Sequence, residues 1–240
     1  SAGVCAAAAL LIALFATPWQ QAKPAPAGRM FEFGPVLRNR HAMAYSIAYC
    51  VHTWEMNALR GWAVAFLAWV AMATEAEHIW IAPAAVAMTM SLTGTGASLF
   101  GNELSIRLGR QRLVRYAMSL SILAAATIGF LGPASYSIAV AFVLGYGIII
   151  WLDSSSLTAG AAGAALPGRR GATLAIHSML GYAGGFVGPL AIGVTLDMAG
   201  GMSHTGWGWA FASTAVVLLA GRIAFSILRP RDLAGDRADG

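Results

Sequence analysis

Runs of apolar residues recur along the whole chain, separated by short polar or charged connections. Seven runs can be drawn: Ala2–Trp19, Ala42–Met72, Ile79–Gly101, Leu113–Gly132, Ser135–Ala159, Ala172–Asp197 and Trp207–Leu228. A helix crosses ~30 Å of hydrocarbon in about 20 residues, whereas a barrel strand needs about ten of alternating polarity. These runs have helical length and are apolar on nearly all sides. They predict an all-α, polytopic transmembrane helix bundle. The second run is longer than one span requires, so it predicts a tilted or a broken helix, with Gly61 as the weak point.

The connections alternate in charge. Residues 20–41 carry Lys23, Arg29, Arg38 and Arg40 against Glu32, and the next connection carries Glu75 and Glu77 with no Lys or Arg. The third holds Arg107, Arg110, Arg112 and Arg115 against Glu103, and the one around Pro133 is uncharged. Arg169 and Arg170 mark the fifth, Asp197 and His204 the sixth, and Arg229, Arg231 and Arg237 the tail. Basic loops stay in the cytoplasm, which predicts an N-terminus outside and a C-terminus inside, in an inner (plasma) membrane of bacterial type. Trp19, Trp80, Tyr136, Trp207 and Trp209 sit at run ends, where amphipathic rings prefer the interface. The expected organisation is a helix of a preceding unit (1–19), a Pro- and Gly-rich cytoplasmic linker (20–41), a six-helix transmembrane bundle (42–228) and a cytoplasmic tail (229–240) without order.

Composition agrees. The 240 residues are 58% hydrophobic and 10% charged, against about a quarter charged in a soluble domain, which leaves no room for a large soluble unit. The formal charge of +5 comes from arginines in short loops, a topology signal that does not call for nucleic acid as a partner. Cys5 and Cys50 lie inside apolar runs and suggest neither a disulfide nor a metal site. The first run lacks a charged leader and precedes a basic loop, so it reads as a span and not as a signal peptide.

Candidate chemistry concentrates in three runs. His52, Glu55, Asn57 and Arg60 interrupt the second. An ionised group in hydrocarbon costs about 2.5 kcal/mol or more unless paired or wetted. At 100° per residue Tyr45, Tyr49, His52 and Arg60 share one side, with Glu55 flanking. Two readings stay open: a solute or proton site, or a structural Glu55–Arg60 pair. Asp153, followed by Ser154, Ser155, Ser156 and Thr158, suits a cation or proton site, or a buried carboxylate satisfied by hydroxyls. His177 is a further candidate, or a packing residue. Gly181, Gly184, Gly185 and Gly188 allow close helix approach, and Pro189 favours a kink. The loop arginines Arg107, Arg110 and Arg112 around Gly109 suit helix C-terminal carbonyls or serve topology alone. HExxH, G-x-S-x-G, CxxC and Walker A patterns are absent, so no enzyme, metal or cofactor is expected. The one lysine, Lys23, lies in a loop, which excludes a retinal Schiff base.

Arg107-x-Gly109-Arg110-x-Arg112 resembles the end of the cytoplasmic loop signature of the major facilitator superfamily, although Ile106 and Asn102 stand where that signature has an acidic residue and a glycine. Gly184-x-x-x-Gly188-Pro189 resembles the superfamily's glycine-rich helix motif, and the 20–41 linker resembles the loop that joins its two halves. The resemblance implies the C-terminal six-helix half plus one preceding helix, the sixth to twelfth helices in all. A missing N-terminal six-helix half would be its partner. It implies secondary active transport of a small solute by alternating access, with Arg107, Gly109, Arg110 and Arg112 in the gating loop. Arg60 would then meet an anionic solute, and Glu55 or Asp153 would carry a coupling proton. The alternative is a non-transporting membrane bundle with a signalling or scaffold role.

Overall fold

The computed structural model describes residues 2–15, 33–76, 79–231, 233 and 236. Its helices are α1 (Ala2–Phe15), α2 (Gly34–Arg38), α3 (Arg40–Ala73), α4 (Pro83–Leu108), α5 (Arg110–Leu131), α6 (Tyr136–Trp151), α7 (Ser154–Gly163), α8 (Arg170–Met198) and α9 (His204–Leu228), with a 3-10 turn at Gly132–Ala134. No strand occurs among the described residues. Local chemistry sets the boundaries. Asn39 Oδ1 accepts from the His41 and Ala42 amides at 3.2 and 3.3 Å and opens α3, satisfying donors that have no partner inside the helix. Ser135 and Ser203 open α6 and α9 in the same way. Pro83 stands at the start of α4, where its missing N–H costs nothing. A single residue, Gly109, separates α4 from α5; its φ of 87° is one that side chains rarely adopt.

Five helical stretches are long and apolar enough to cross a membrane: Arg40–Ala73, Arg110–Ala134, Tyr136–Gly163, Arg170–Met198 and His204–Leu228. The chain is therefore an integral membrane helix bundle. Helix α4 has the length, at 26 residues, but Thr89, Ser91, Thr93, Thr95 and Ser98 dilute its apolar character. Several of these hydroxyls donate to carbonyls one turn back, as in Thr89 to Ala85 at 2.9 Å and Ser91 to Ala87 at 3.0 Å, so they do not stand unpaired. Helix α1 has 14 residues and keeps Leu10, Leu11, Ile12, Leu14 and Phe15 exposed.

Helix α3 is the central post, packed against α8, α9, α7, α6 and α4. Toward its C-terminal end lies an aromatic core: Phe66 meets Trp207 and Phe211 edge-on, each at 5.2 Å between centroids. Toward its N-terminal end Tyr45, Val114, Met118, Leu157 and Phe225 form a second cluster.

Three expectations are corrected. Helix α3 does not break at Gly61; it runs unbroken for 34 residues. Gly61 instead receives the Pro189 ring, which would lie 3.5 Å from an added Cβ. The interruption falls in the fifth apolar run, at Leu152–Asp153 between α6 and α7. There Gly101 of α4 comes so close to the Leu152 carbonyl that a Cβ would lie 1.9 Å from its oxygen. The tail is also partly ordered. Tyr45 Oη donates to the Arg231 carbonyl at 3.1 Å, the Leu233 side chain fills the space beside Gly163, and Asp236 is buried. Residues 20–32 of the expected linker, Trp19, Glu77 and Arg237 lie outside the described residues.

Candidate functional site

His52 and Glu55 lie one turn apart near the midpoint of α3 and point inward, 3% and 2% exposed. His52 Nδ1 pairs with Asp153 Oδ1 at 3.1 Å, and both side chains are buried. Asp153 immediately precedes α7, and its carbonyl accepts the Leu157 amide at 2.9 Å. Its carboxylate makes no cap bond. The helix break thus places the Asp153 carboxyl at the N-terminal end of α7 and beside His52. The Glu55 carboxyl faces the hydroxyls of Ser121 on α5 and Tyr146 on α6. Neither Glu55 Oε1 nor Tyr146 Oη has a partner in hydrogen-bonding geometry among the described residues. Buried polar atoms are seldom left so.

Tyr49 links these groups to a groove. Its ring stacks on His177 at 4.0 Å between centroids and lies nearly parallel to His52 at 5.9 Å. His177 Nε2 lies 3.2 Å from Thr158 Oγ1, while its Nδ1 has no partner among the described residues. Tyr49 also lines a groove of about 470 Å³ between α3 and α8, with Asn57, Ser178, Tyr182 and Phe186. Pockets of this size suit small organic molecules.

The glycines of α8 shape this groove. Gly184 and Gly188 lie against the α3 backbone, where an added Cβ would come within 2.0 Å of the Cys50 oxygen and 2.3 Å of the Trp54 oxygen. Gly181 makes room for the Tyr49 ring and Gly185 for the Asn57 amide. Thr53 Oγ1 donates to the Gly181 carbonyl at 2.7 Å, and Trp62 Nε1 to the Pro189 carbonyl at 2.9 Å. Helix α8 continues through Pro189.

The expected polar stripe divides. Tyr45 belongs to the cluster at the other end, and Arg60 stands apart from Glu55. Arg60 is exposed in a second groove, of about 460 Å³, against Met88, Ser91 and Leu92 of α4. It forms no ion pair among the described residues, so the Glu55–Arg60 pair does not form. In the loop, Arg110 is buried and bidentate, with Nε and Nη2 donating to Asp236 at 2.9 and 2.8 Å. Arg107 makes an exposed pair with Glu103 at 2.8 Å. No group of three or more His, Cys, Asp or Glu gathers as metal ligands among the described residues.

Sequence reasoning did not foresee Ser121, Tyr146, Asp236 or Arg222. Arg222 carried the same signal as Arg60, an ionised residue within an apolar run. Tyr146, between two glycines, and Ser121 are common residues that only the fold brings to Glu55. No protein-family model matches this chain, and no curated protein matches it.

Proposed function

We propose that this chain is one half of a proton-coupled secondary transporter of the major facilitator type, which moves a small solute across a bacterial-type inner membrane by alternating access. The observation that carries the reading is the buried His52–Asp153 pair, joined through the Tyr49 ring to a polar groove near the middle of α3. Ionisable groups at the centre of a span are costly and usually serve a pathway. A helix interrupted at the bundle interior, as at Leu152–Asp153, is a common way to build a transport site.

On this reading the solute rests against Asn57, Tyr182 and Phe186, on one side of Tyr49. A proton gained or lost among Glu55, His52 and Asp153 changes the hydrogen bonding on the other side. Arg60, three residues beyond Asn57 on the same helix surface, meets an anionic group of the solute. The exposed face of α3 bearing both residues turns toward the N-terminal six-helix half. Arg110 and Asp236 close the cytoplasmic end, and they part when that end opens.

The test is reconstitution of the chain together with its N-terminal half into liposomes loaded with a pH-sensitive dye, with a panel of small solutes added outside. The proposal expects solute-evoked proton movement that is abolished in Glu55→Gln while solute counterflow persists. Counterflow without proton movement in the unmodified chain overturns the coupling. Neither flux with any solute overturns transport and favours the signalling or scaffold alternative.

A further inference from the structure

A further groove lies away from the site just described, at the arginine-rich ends of α3 and α9. It measures about 680 Å³. Arg40 at the start of α3, Arg222 within α9 and Arg229 at the end of α9 line one part of it. None of the three has a carboxylate partner among the described residues. Arg222 Nη1 donates to Ser226 Oγ, one turn further along α9, while its Nε is buried without a partner among the described residues. The guanidinium therefore bends toward the helix end, as a cation rooted in hydrocarbon does to reach the interface. Arg115 lies near enough to add its field. Like charges so gathered repel one another, and a bound anion removes that cost.

The rest of the groove is apolar. Leu219, Ile223 and Ile227, spaced by four residues on α9, line it and remain 49%, 51% and 72% exposed. Their shared face runs along the helix axis beside Arg222 and Arg229, with Leu219 the farthest from the helix end. A free phosphate would use only the arginines. An amphiphile uses both parts.

We propose that this groove is a binding site for an anionic phospholipid of the leaflet at the arginine-rich ends. Arg40, Arg222 and Arg229 take the phosphodiester, Ser226 adds a hydroxyl, and one acyl chain lies along Leu219, Ile223 and Ile227. Basic surfaces beside membrane helices attract acidic headgroups. The site is independent of the transport reading and holds equally for a non-transporting bundle.

The test uses the full chain purified in neutral detergent, with native mass spectrometry and thermal unfolding as readouts. The lipids are phosphatidylglycerol and phosphatidylcholine with identical chains, and glycerol 3-phosphate serves as the free-phosphate probe. Phosphatidylglycerol should bind at least about tenfold more tightly than phosphatidylcholine and raise the unfolding temperature. The double variant Arg222→Gln/Arg229→Gln should lose that preference, whereas Arg170→Gln, on the exposed start of α8, should keep it. Ile223→Ser/Ile227→Ser should weaken both lipids and leave their ratio intact. Equal binding of the two lipids, or a preference that survives the double arginine variant, overturns the proposal. Glycerol 3-phosphate reproducing the full stabilisation also overturns it, because the groove is then a site for free phosphate.

Discussion

At the scale of single residues, the account rests on buried polar groups whose partners come from distant parts of the chain. His52 and Asp153 are about a hundred residues apart and meet at 3.1 Å. Removing one member of a buried pair strands the other, at a cost of about 3–5 kcal/mol, whereas removing both can be nearly neutral. His52→Ala and Asp153→Ala should each lower the unfolding temperature in detergent, and the double variant should be more stable than the less stable single one. Additive losses in that cycle would mean the pair is not coupled. His52, Glu55, Asp153 and His177 could be singled out from sequence because charge inside an apolar run is conspicuous. Their arrangement could not. The spacing along α3 suggested that Arg60 belonged with Glu55, but periodicity fixes a face and not the neighbours that cover it. Arg60 turns toward α4, while Glu55 meets Ser121 and Tyr146.

At the scale of helices, five of the seven apolar runs coincide with stretches long and apolar enough to cross a membrane, because a membrane leaves few alternatives to a helix. Breaks were harder to place. Gly61 looked like a weak point, yet Pro189 packs on it and α3 continues. The real interruption precedes Ser154–Ser156, where the Ser155 hydroxyl donates to the Ser98 carbonyl of α4 at 3.1 Å. The glycine spacing on α8 was legible as a contact surface, and its partner is the α3 backbone at Cys50 and Trp54. Gly188→Ala should therefore destabilise the bundle by about 1–3 kcal/mol through overpacking. Gly96→Ala, where nothing lies within 4 Å of the added carbon, should be neutral or slightly stabilising. Fluorescence-detected thermal unfolding in detergent compares the two; equal effects would show that the α3–α8 approach is not tight.

At the scale of the whole molecule, the tail joins the bundle's arginine-rich end through Arg110–Asp236 and the Tyr45–Arg231 contact. Nothing in a short Gly- and Asp-containing tail announces such a dock, since composition alone reads as solvated chain. Asp236→Ala leaves Arg110 buried without its carboxylate, which should cost about 3 kcal/mol or more and expose Arg229 and Arg231 to trypsin. Unchanged protease resistance would contradict the docked tail. The larger claim is that the groove beside Tyr49 opens in turn to the two sides of the membrane. The direct measurement places a single cysteine at Asn57 in a Cys5→Ser/Cys50→Ser background. It then follows labelling by a membrane-impermeant maleimide in right-side-out and inside-out vesicles. The account predicts labelling from both sides; a residue reached from neither side, or from one side only under every condition, contradicts it.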